Sequence, residues 1–280
     1  MKILELLKLG STILKNKKIK THQLDSELIL SSVLKKKREN LLITLDQKVT
    51  KKIAFNYWRL MAKRSAKEPI AYILKNKEFW SKDFFVNKNT LIPRPETELL
   101  SENIIKIFKN KKIHILDIGT GSGCILLSIL GEIKGAKGIG VDISKKAVDV
   151  AKINSKRLKL SHRAKFYAKS LSKVFDYKFD LIVSNPPYIK TSDIKNLMED
   201  VKKYEPKLAL DGGKDGLDLI KKIIYKSKTI LKRKGMLALE IGQGQFKQVS
   251  HILKLQGFKN RFLVKDYKNN IRCVLTTLEF

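Results

Sequence analysis

Asn185-Pro186-Pro187-Tyr188 combines residue types suited to holding a planar nitrogen. An amide or exocyclic amino nitrogen is a weak nucleophile because its lone pair is delocalised. The Asn185 side-chain oxygen and the Pro186 carbonyl can accept both N–H bonds of an NH2 group and align its nitrogen with a bond that must break. Oriented dipoles then meet the positive charge that grows on the nitrogen. The Tyr188 ring can stack on the planar group and face a cation. Pro186 and Pro187 have no N–H, so a strand ending here leaves carbonyls outside any ladder. Alone, the four residues also fit a plain strand-ending turn, because Asn-Pro is a common breaker.

A second constellation is the loop Gly119-Thr120-Gly121-Ser122-Gly123 after an apolar stretch. Glycines allow a tight turn and a close backbone approach to a ligand. The helix start beyond them offers unpaired N–H groups. The spacing is G-x-G-x-G rather than the G-x-G-x-x-G of dinucleotide sites. It therefore favours the methionine end of S-adenosylmethionine over a pyrophosphate. Asp142 lies 23 positions after Gly119. A carboxylate there can accept both ribose hydroxyls, or serve as a charge at the start of the helix near Ser144. Glu96 and Thr97 are weaker candidates for the cofactor's outer wall.

The elements that must position these residues follow from periodicity. His114–Ile118 reads as a strand, then the glycine loop and a helix. Residues 138–143 form a second strand, Ala164–Ala168 a third, and 180–184 a fourth that runs into Asn185. A helix over 217–232 precedes a fifth strand at 236–241. Late strands near 261–264 and 272–278, joined through Tyr267-Lys268-Asn269-Asn270, suggest an antiparallel edge hairpin. The alternation predicts an α/β fold, a doubly wound and mainly parallel seven-stranded sheet. Before it, residues 1–75 read as helices. One apolar stripe carries Ile3, Leu6, Leu7, Ile13 and Leu14, and a second carries Leu24, Leu28, Ile29 and Val33. A third helix, through Phe55, Trp58, Leu60 and Met61, is capped by Thr50. Glu78-Phe79-Trp80 and Phe84-Phe85-Val86 read as a short hairpin. The predicted division is 1–75 helical, 76–94 hairpin and linker, and 95–280 for the sheet domain.

The chain has 280 residues, 43% of them hydrophobic, which is enough for a substantial core. Its formal net charge of +32 points toward polyanions. However, only nine of the 59 basic residues are arginine, and the lysines run the whole length. A dedicated nucleic-acid face favours Arg, so the charge reads more as compositional bias than as a binding face. The two cysteines and four histidines are scattered, without zinc spacing. No metal is expected, and so few cysteines fit a reducing compartment. The N-terminus lacks a continuous apolar run and a cleavage site, and no segment is apolar enough to span a membrane. The expectation is a cytoplasmic protein with no membrane association.

At this point the sequence resembles the bacterial release-factor glutamine methyltransferases, the PrmC/HemK family. The resemblance covers nearly the whole chain. It is carried by Glu78-Phe79-Trp80, Leu91-Ile92-Pro93-Arg94-Pro95-Glu96-Thr97-Glu98, Leu116 through Gly123, and Val183 through Ile189. Tyr204-Glu205-Pro206, Asp211 through Asp218, and Glu240-Ile241-Gly242 extend it. The resemblance implies a Rossmann-like class I methyltransferase sheet. It also implies S-adenosylmethionine as methyl donor and methylation of the glutamine amide in the Gly-Gly-Gln motif of peptide chain release factors. Gly119, Thr120, Gly121, Ser122, Gly123, Asp142 and Asn185 are implied as cofactor contacts. Asn185, Pro186 and Tyr188 are implied as catalytic, and Asn185–Tyr188 as the substrate holder. The helical N-terminal region is implied to help bind the release factor. One departure stands out: the family commonly has an acidic residue beside the adenine followed by an apolar or aromatic one, and here those positions are Ser170 and Leu171.

Two other readings compete. An amino methyltransferase of RNA or DNA bases shares the Asn-Pro-Pro-Tyr motif and suits a basic chain. A DNA enzyme, however, must flip its base and usually needs a further recognition region, for which no spare segment is left. A non-catalytic binding protein on the same fold has no reason to keep both motifs intact.

Overall fold

The computed structural model describes residues 1–173 and 177–278. Five helices open the chain: α1 (Ile3–Asn16), α2 (His22–Leu34), α3 (Arg38–Leu42), α4 (Lys51–Ser65) and α5 (Ile70–Leu74). The hairpin β1 (Lys77–Phe79) and β2 (Lys82–Phe84) leads to α6 (Pro95–Phe108). Then come β3 (His114–Ile118), α7 (Cys124–Glu132), β4 (Lys137–Asp142), α8 (Lys145–Arg157), β5 (Ala164–Ala168) and β6 (Phe179–Ser184). A short α9 (Glu199–Tyr204), α10 (Asp218–Ile230), β7 (Leu231–Glu240), α11 (Phe246–Leu255), β8 (Phe258–Lys265) and β9 (Ile271–Leu278) follow.

The chain divides into two compact units, residues 1–75 with 198–204, and residues 76–197 with 205–280. The three-part reading of the sequence differs at two places: the hairpin groups with the sheet, and α9 groups with the first five helices. Lys67 pairs with Glu199, and the Tyr204 hydroxyl donates to the Ala66 carbonyl at 2.7 Å, which ties α9 to the α4–α5 turn.

In the first unit, Ile3, Leu6, Leu14, Leu30, Tyr57 and Met61 form the core. Thr50 caps α4, as its sequence position predicts, by accepting from the Ile53 N–H. The predicted stripes are partly misplaced. Ile13, Leu24 and Phe55 are exposed, Phe55 by 69%. Met61 is buried as the stripe predicts, but it shares the buried face of α4 with Tyr57 and Arg64, and that of α2 includes Asp25 and Ser26. These polar residues are buried because they are paired: Arg64 Nε donates to Asp25 at 2.6 Å, and Ser26 meets the Tyr57 hydroxyl at 2.7 Å.

The second unit holds a sheet in the order β5-β4-β3-β6-β7-β9-β8. Pairs from β5 through β7 are parallel, while β9 is antiparallel to both β7 and β8. This is the expected doubly wound, mainly parallel seven-stranded sheet with an antiparallel edge hairpin. Parallel strands buried on both faces need apolar residues at successive positions. In β6, Leu181 and Val183 face one core, and Phe179 and Ile182 face the other. Boundaries move: α10 ends at Ile230 rather than 232, β7 begins at Leu231 rather than 236, with a register shift between β6 and β7, and β8 begins at Phe258 rather than near 261. Among the described residues, no helix is long and apolar enough to cross a membrane.

The chain enters the sheet at β3, winds outward to β5, and returns beside β3 as β6. The strand order therefore reverses between β3 and β6. A crevice opens at that switch, outside the carboxyl ends of the strands.

Candidate active site

A cleft of about 1270 Å³ lies there. Gly119, Thr120, Gly121, Ser122, Asp142 and Asn185 all line it. It also receives Thr97 and Arg94 from the segment before β3, and Pro187 from the loop after β6. Glu96, which the sequence offered as outer wall, is exposed and does not line it.

The loop after β3 is anchored rather than loose. The Gly119 and Thr120 N–H groups donate to the Val141 carbonyl at 2.9 and 3.0 Å. Gly119 and Gly121 take φ of +70° and +53°, a region that favours glycine. A Cβ on Gly119 would meet no protein atom within 4 Å, so the backbone there borders open space rather than packed side chains. That is a cradle for a ligand brought close to the main chain. Gly123 caps α7 at φ +79°.

Asp142 ends β4 and accepts from backbone on two sides. Its Oδ1 accepts from the Ser144 N–H at 2.9 Å, at the start of α8, and its Oδ2 from the Gly121 N–H at 3.0 Å. Each oxygen keeps acceptor capacity for a further donor. Burial raises its pKa, and the backbone N–H groups of Ser144, Gly121 and Ile143 oppose that shift.

Asp117, near the end of β3, is fully buried. Its Oδ2 accepts from the Thr120 hydroxyl at 2.6 Å, while Oδ1 has no hydrogen-bond partner. Burial pushes this carboxyl up to about 7, against the pull of Thr120, and nearby Asp142 adds to the rise. The sequence offers one signal for it: an acidic residue inside an otherwise apolar strand, just before the glycine loop. An orphaned acceptor of this kind is a common mark of a ligand-binding position.

Asn185 follows β6 directly. Its Nδ2 donates to the Thr97 hydroxyl at 3.0 Å, and that hydroxyl donates to Glu240 Oε2 at 2.6 Å. Glu240 is the last residue of β7 and is fully buried. Arg272 on β9 donates to the Tyr188 hydroxyl at 3.1 Å, lies 5.5 Å from the Tyr188 ring and 3.7 Å from Glu240 Oε1. Burial raises the pKa of Glu240, while Thr97, Arg272 and Tyr188 oppose the rise. Pro186 is buried, and Tyr188 is half-buried against the apolar core around β7; neither lines the cleft. Spacing alone did not reveal Thr97, Glu240 and Arg272 as neighbours of Asn185.

The Asn185–Tyr188 loop is clamped from outside. Gly212 donates to the Ile189 carbonyl at 2.8 Å, and Gln245 donates to the Tyr188 carbonyl at 3.0 Å. Ser170 and Leu171 line the cleft after β5, with the Ser170 hydroxyl 2.9 Å from that of Ser172. Among the described residues, no three His, Cys, Asp or Glu side chains gather as a metal site would require.

Comparison with known proteins gives the family. A family model described as the PrmC N-terminal domain matches residues 5–74, and one described as the methyltransferase small domain matches residues 95–205. A model of the Eco57I restriction-modification methylase matches residues 151–272. The release factor glutamine methyltransferase of Clostridium acetobutylicum is 40% identical over 279 residues, covering 98% of each chain. That of Bacillus anthracis is 35% identical over 288 residues, covering 100% of each. Among solved structures, a ribosomal protein L11 methylase from Lactobacillus delbrueckii subsp. bulgaricus shares the fold, with a TM-score of 0.51 at 19% identity. It covers 67% of this chain and 81% of its own. The chain belongs to the release factor glutamine methyltransferase family.

Proposed function

We propose that this protein methylates the side-chain amide nitrogen of the glutamine in the Gly-Gly-Gln motif of release factors, with S-adenosylmethionine as donor. The observation that carries the reading is the placement of the Asn185 amide on the cleft wall, at a switch point shared with the glycine loop and Asp142. The donor supplies a methyl group on a positively charged sulfur, ready for transfer to a nucleophile.

The chain's own residues bind and orient. Asp142 retains acceptor capacity for the two ribose hydroxyls. The Gly119–Gly123 backbone admits the methionine portion, and Asp117, buried beside that loop, favours its ammonium group through its charge. Asn185 Oδ1, on the cleft wall, accepts an N–H bond of the substrate amide. It holds the substrate nitrogen in line with the sulfur–methyl bond and favours the charge that develops on it. No side chain has to remove the proton before attack, since the methylated nitrogen becomes acidic and releases it afterwards. Residues 1–75 are assigned to recognition of the release factor, supported by the PrmC N-terminal match over 5–74.

The Eco57I match keeps a nucleic-acid reading in view, but it leaves residues 1–75 without a role. Both readings are tested by incubating the purified protein with labelled donor and either a release factor or RNA and DNA. Peptide mass spectrometry showing one methyl on the Gly-Gly-Gln glutamine supports the proposal. Label on nucleic acid with unmodified protein refutes it.

A further inference from the structure

An asparagine side chain is nearly symmetric in shape, so its amide can present either oxygen or nitrogen to a ligand. The proposed reaction needs the oxygen. Resting on that reading of the site, we propose that Thr97 and Glu240 are positioning residues that fix which end of the Asn185 amide faces the cleft.

The argument is one of hydrogen-bond polarity. A threonine hydroxyl has one proton to donate. At Thr97 that proton goes to Glu240 Oε2, 2.6 Å away. The Thr97 oxygen can then only accept from its other neighbour, which must be a donor. Asn185 meets that demand with Nδ2 at 3.0 Å. Its Oδ1 is thereby turned from Thr97, and among the described residues no N–H or hydroxyl donates to it. Glu240 sets the sense of Thr97, and Thr97 sets the sense of Asn185. Without the carboxylate, the Thr97 proton could turn toward Asn185 and favour the flipped amide.

Glu240 is itself held. Its Oε1 accepts from the Tyr188 hydroxyl at 3.4 Å, which in turn accepts from Arg272 at 3.1 Å. Thr97 lines the cleft, Glu240, Tyr188 and Arg272 do not, and Thr97 and Glu240 are buried. A buried acceptor with several fixed donors has little freedom to reorient. This assigns roles to two motifs with no other evident task at the cleft: Thr97 of the Pro93–Glu98 passage and Glu240 of Glu240-Ile241-Gly242.

Thr97→Val keeps the shape and deletes the hydroxyl, while Thr97→Ser retains it. Side-chain amide NMR on the full chain reads the contact directly. One Asn185 Nδ2 proton should be protected from exchange in the parent and in Thr97→Ser, and unprotected in Thr97→Val. With release factor as substrate, Thr97→Val should lower kcat about 10- to 100-fold. Its KM for the release factor and its Kd for S-adenosylmethionine should stay within about threefold, and Thr97→Ser should restore kcat to within about threefold. Near-parental kcat in Thr97→Val, or a loss that appears only in donor affinity, overturns the proposal. Equal exchange in all three proteins also overturns it. A parent that shows the protected proton but leaves the release factor unmodified refutes the proposed function while upholding the amide geometry.

Discussion

Arg94 and Glu205 lie 111 residues apart in sequence, and the guanidinium donates to Glu205 Oε1 at 2.6 Å. The other oxygen, Oε2, accepts from the Ile92 N–H at 3.1 Å. The Glu205 side chain is 1% exposed, so its charge has almost no water to fall back on. Removing the arginine leaves a buried carboxylate with one backbone donor. Arg94→Ala should therefore destabilise the protein by about 2–4 kcal/mol. Urea unfolding of parent and variant checks this, and a change under about 0.5 kcal/mol would show the pair to be dispensable.

Asn185→Ala removes the acceptor proposed for the substrate amide. The cradle of Gly119–Gly123 and Asp142 is untouched. Turnover should fall by about 100-fold or more, with donor binding still measurable by calorimetry. A variant that works at close to the parental rate would refute the orienting role of Asn185.

Asp117 gives a pH dependence with a definite sign. Its folded pKa, about 7, lies above the ordinary value of 3.8. For folding, this raised acid costs stability as pH climbs from 3.8 toward 7, because the unfolded chain ionises first. For donor binding the direction reverses. An ammonium group favours the carboxylate, so below about 7 binding must first expel a proton. S-adenosylmethionine should bind more weakly at pH 6 than at pH 8, by about 3- to 10-fold. Asp117→Asn should flatten that profile, and an unchanged slope in this variant would place the titrating group elsewhere.

Gly216 adopts φ +77°, and a Cβ there would lie 2.5 Å from the Tyr188 carbonyl oxygen. Gly216→Ala combines backbone strain with clashes against the Tyr188 carbonyl and the Gln245 side-chain amide, which holds that carbonyl. It should cost about 1–3 kcal/mol of stability and reduce kcat more than donor affinity. Thermal unfolding together with steady-state kinetics separates the two effects.

The sheet was legible because its strands are short apolar runs separated by glycine, Asn-Pro and charged helices. His114–Ile118 and Ala164–Ala168 match their strands at both ends. The β7 boundary was not, because β7 begins at Leu231 and reaches Met236 only past Lys232-Arg233-Lys234-Gly235, which reads as a turn. In α2 and α4, polar side chains share the buried face through pairs such as Arg64–Asp25, which hydrophobic periodicity cannot register. Gly119–Ser122, Asn185 and Pro187 were readable as cleft residues because they sit in contiguous motifs, but Gly123, Pro186 and Tyr188 of the same motifs do not line the cleft. Thr97, Glu240 and Arg272 come from three distant segments, and only the fold brings them together. Asp117 stood in plain view within a motif, but its importance depends on an unpartnered oxygen.

Arg272 stands on β9, and β9 lies between β7 and β8 in the sheet. A ribosome makes the chain in order of residue number, so the glycine loop, Asp142 and Asn185 all emerge before the strand that braces Glu240 and Tyr188. A nascent or truncated chain ending before Ile271 carries both cleft motifs but lacks their brace. Synthesis order thus sets a temporal gate: the clamp on Glu240 and Tyr188 closes only after the strand Ile271–Leu278 has been made.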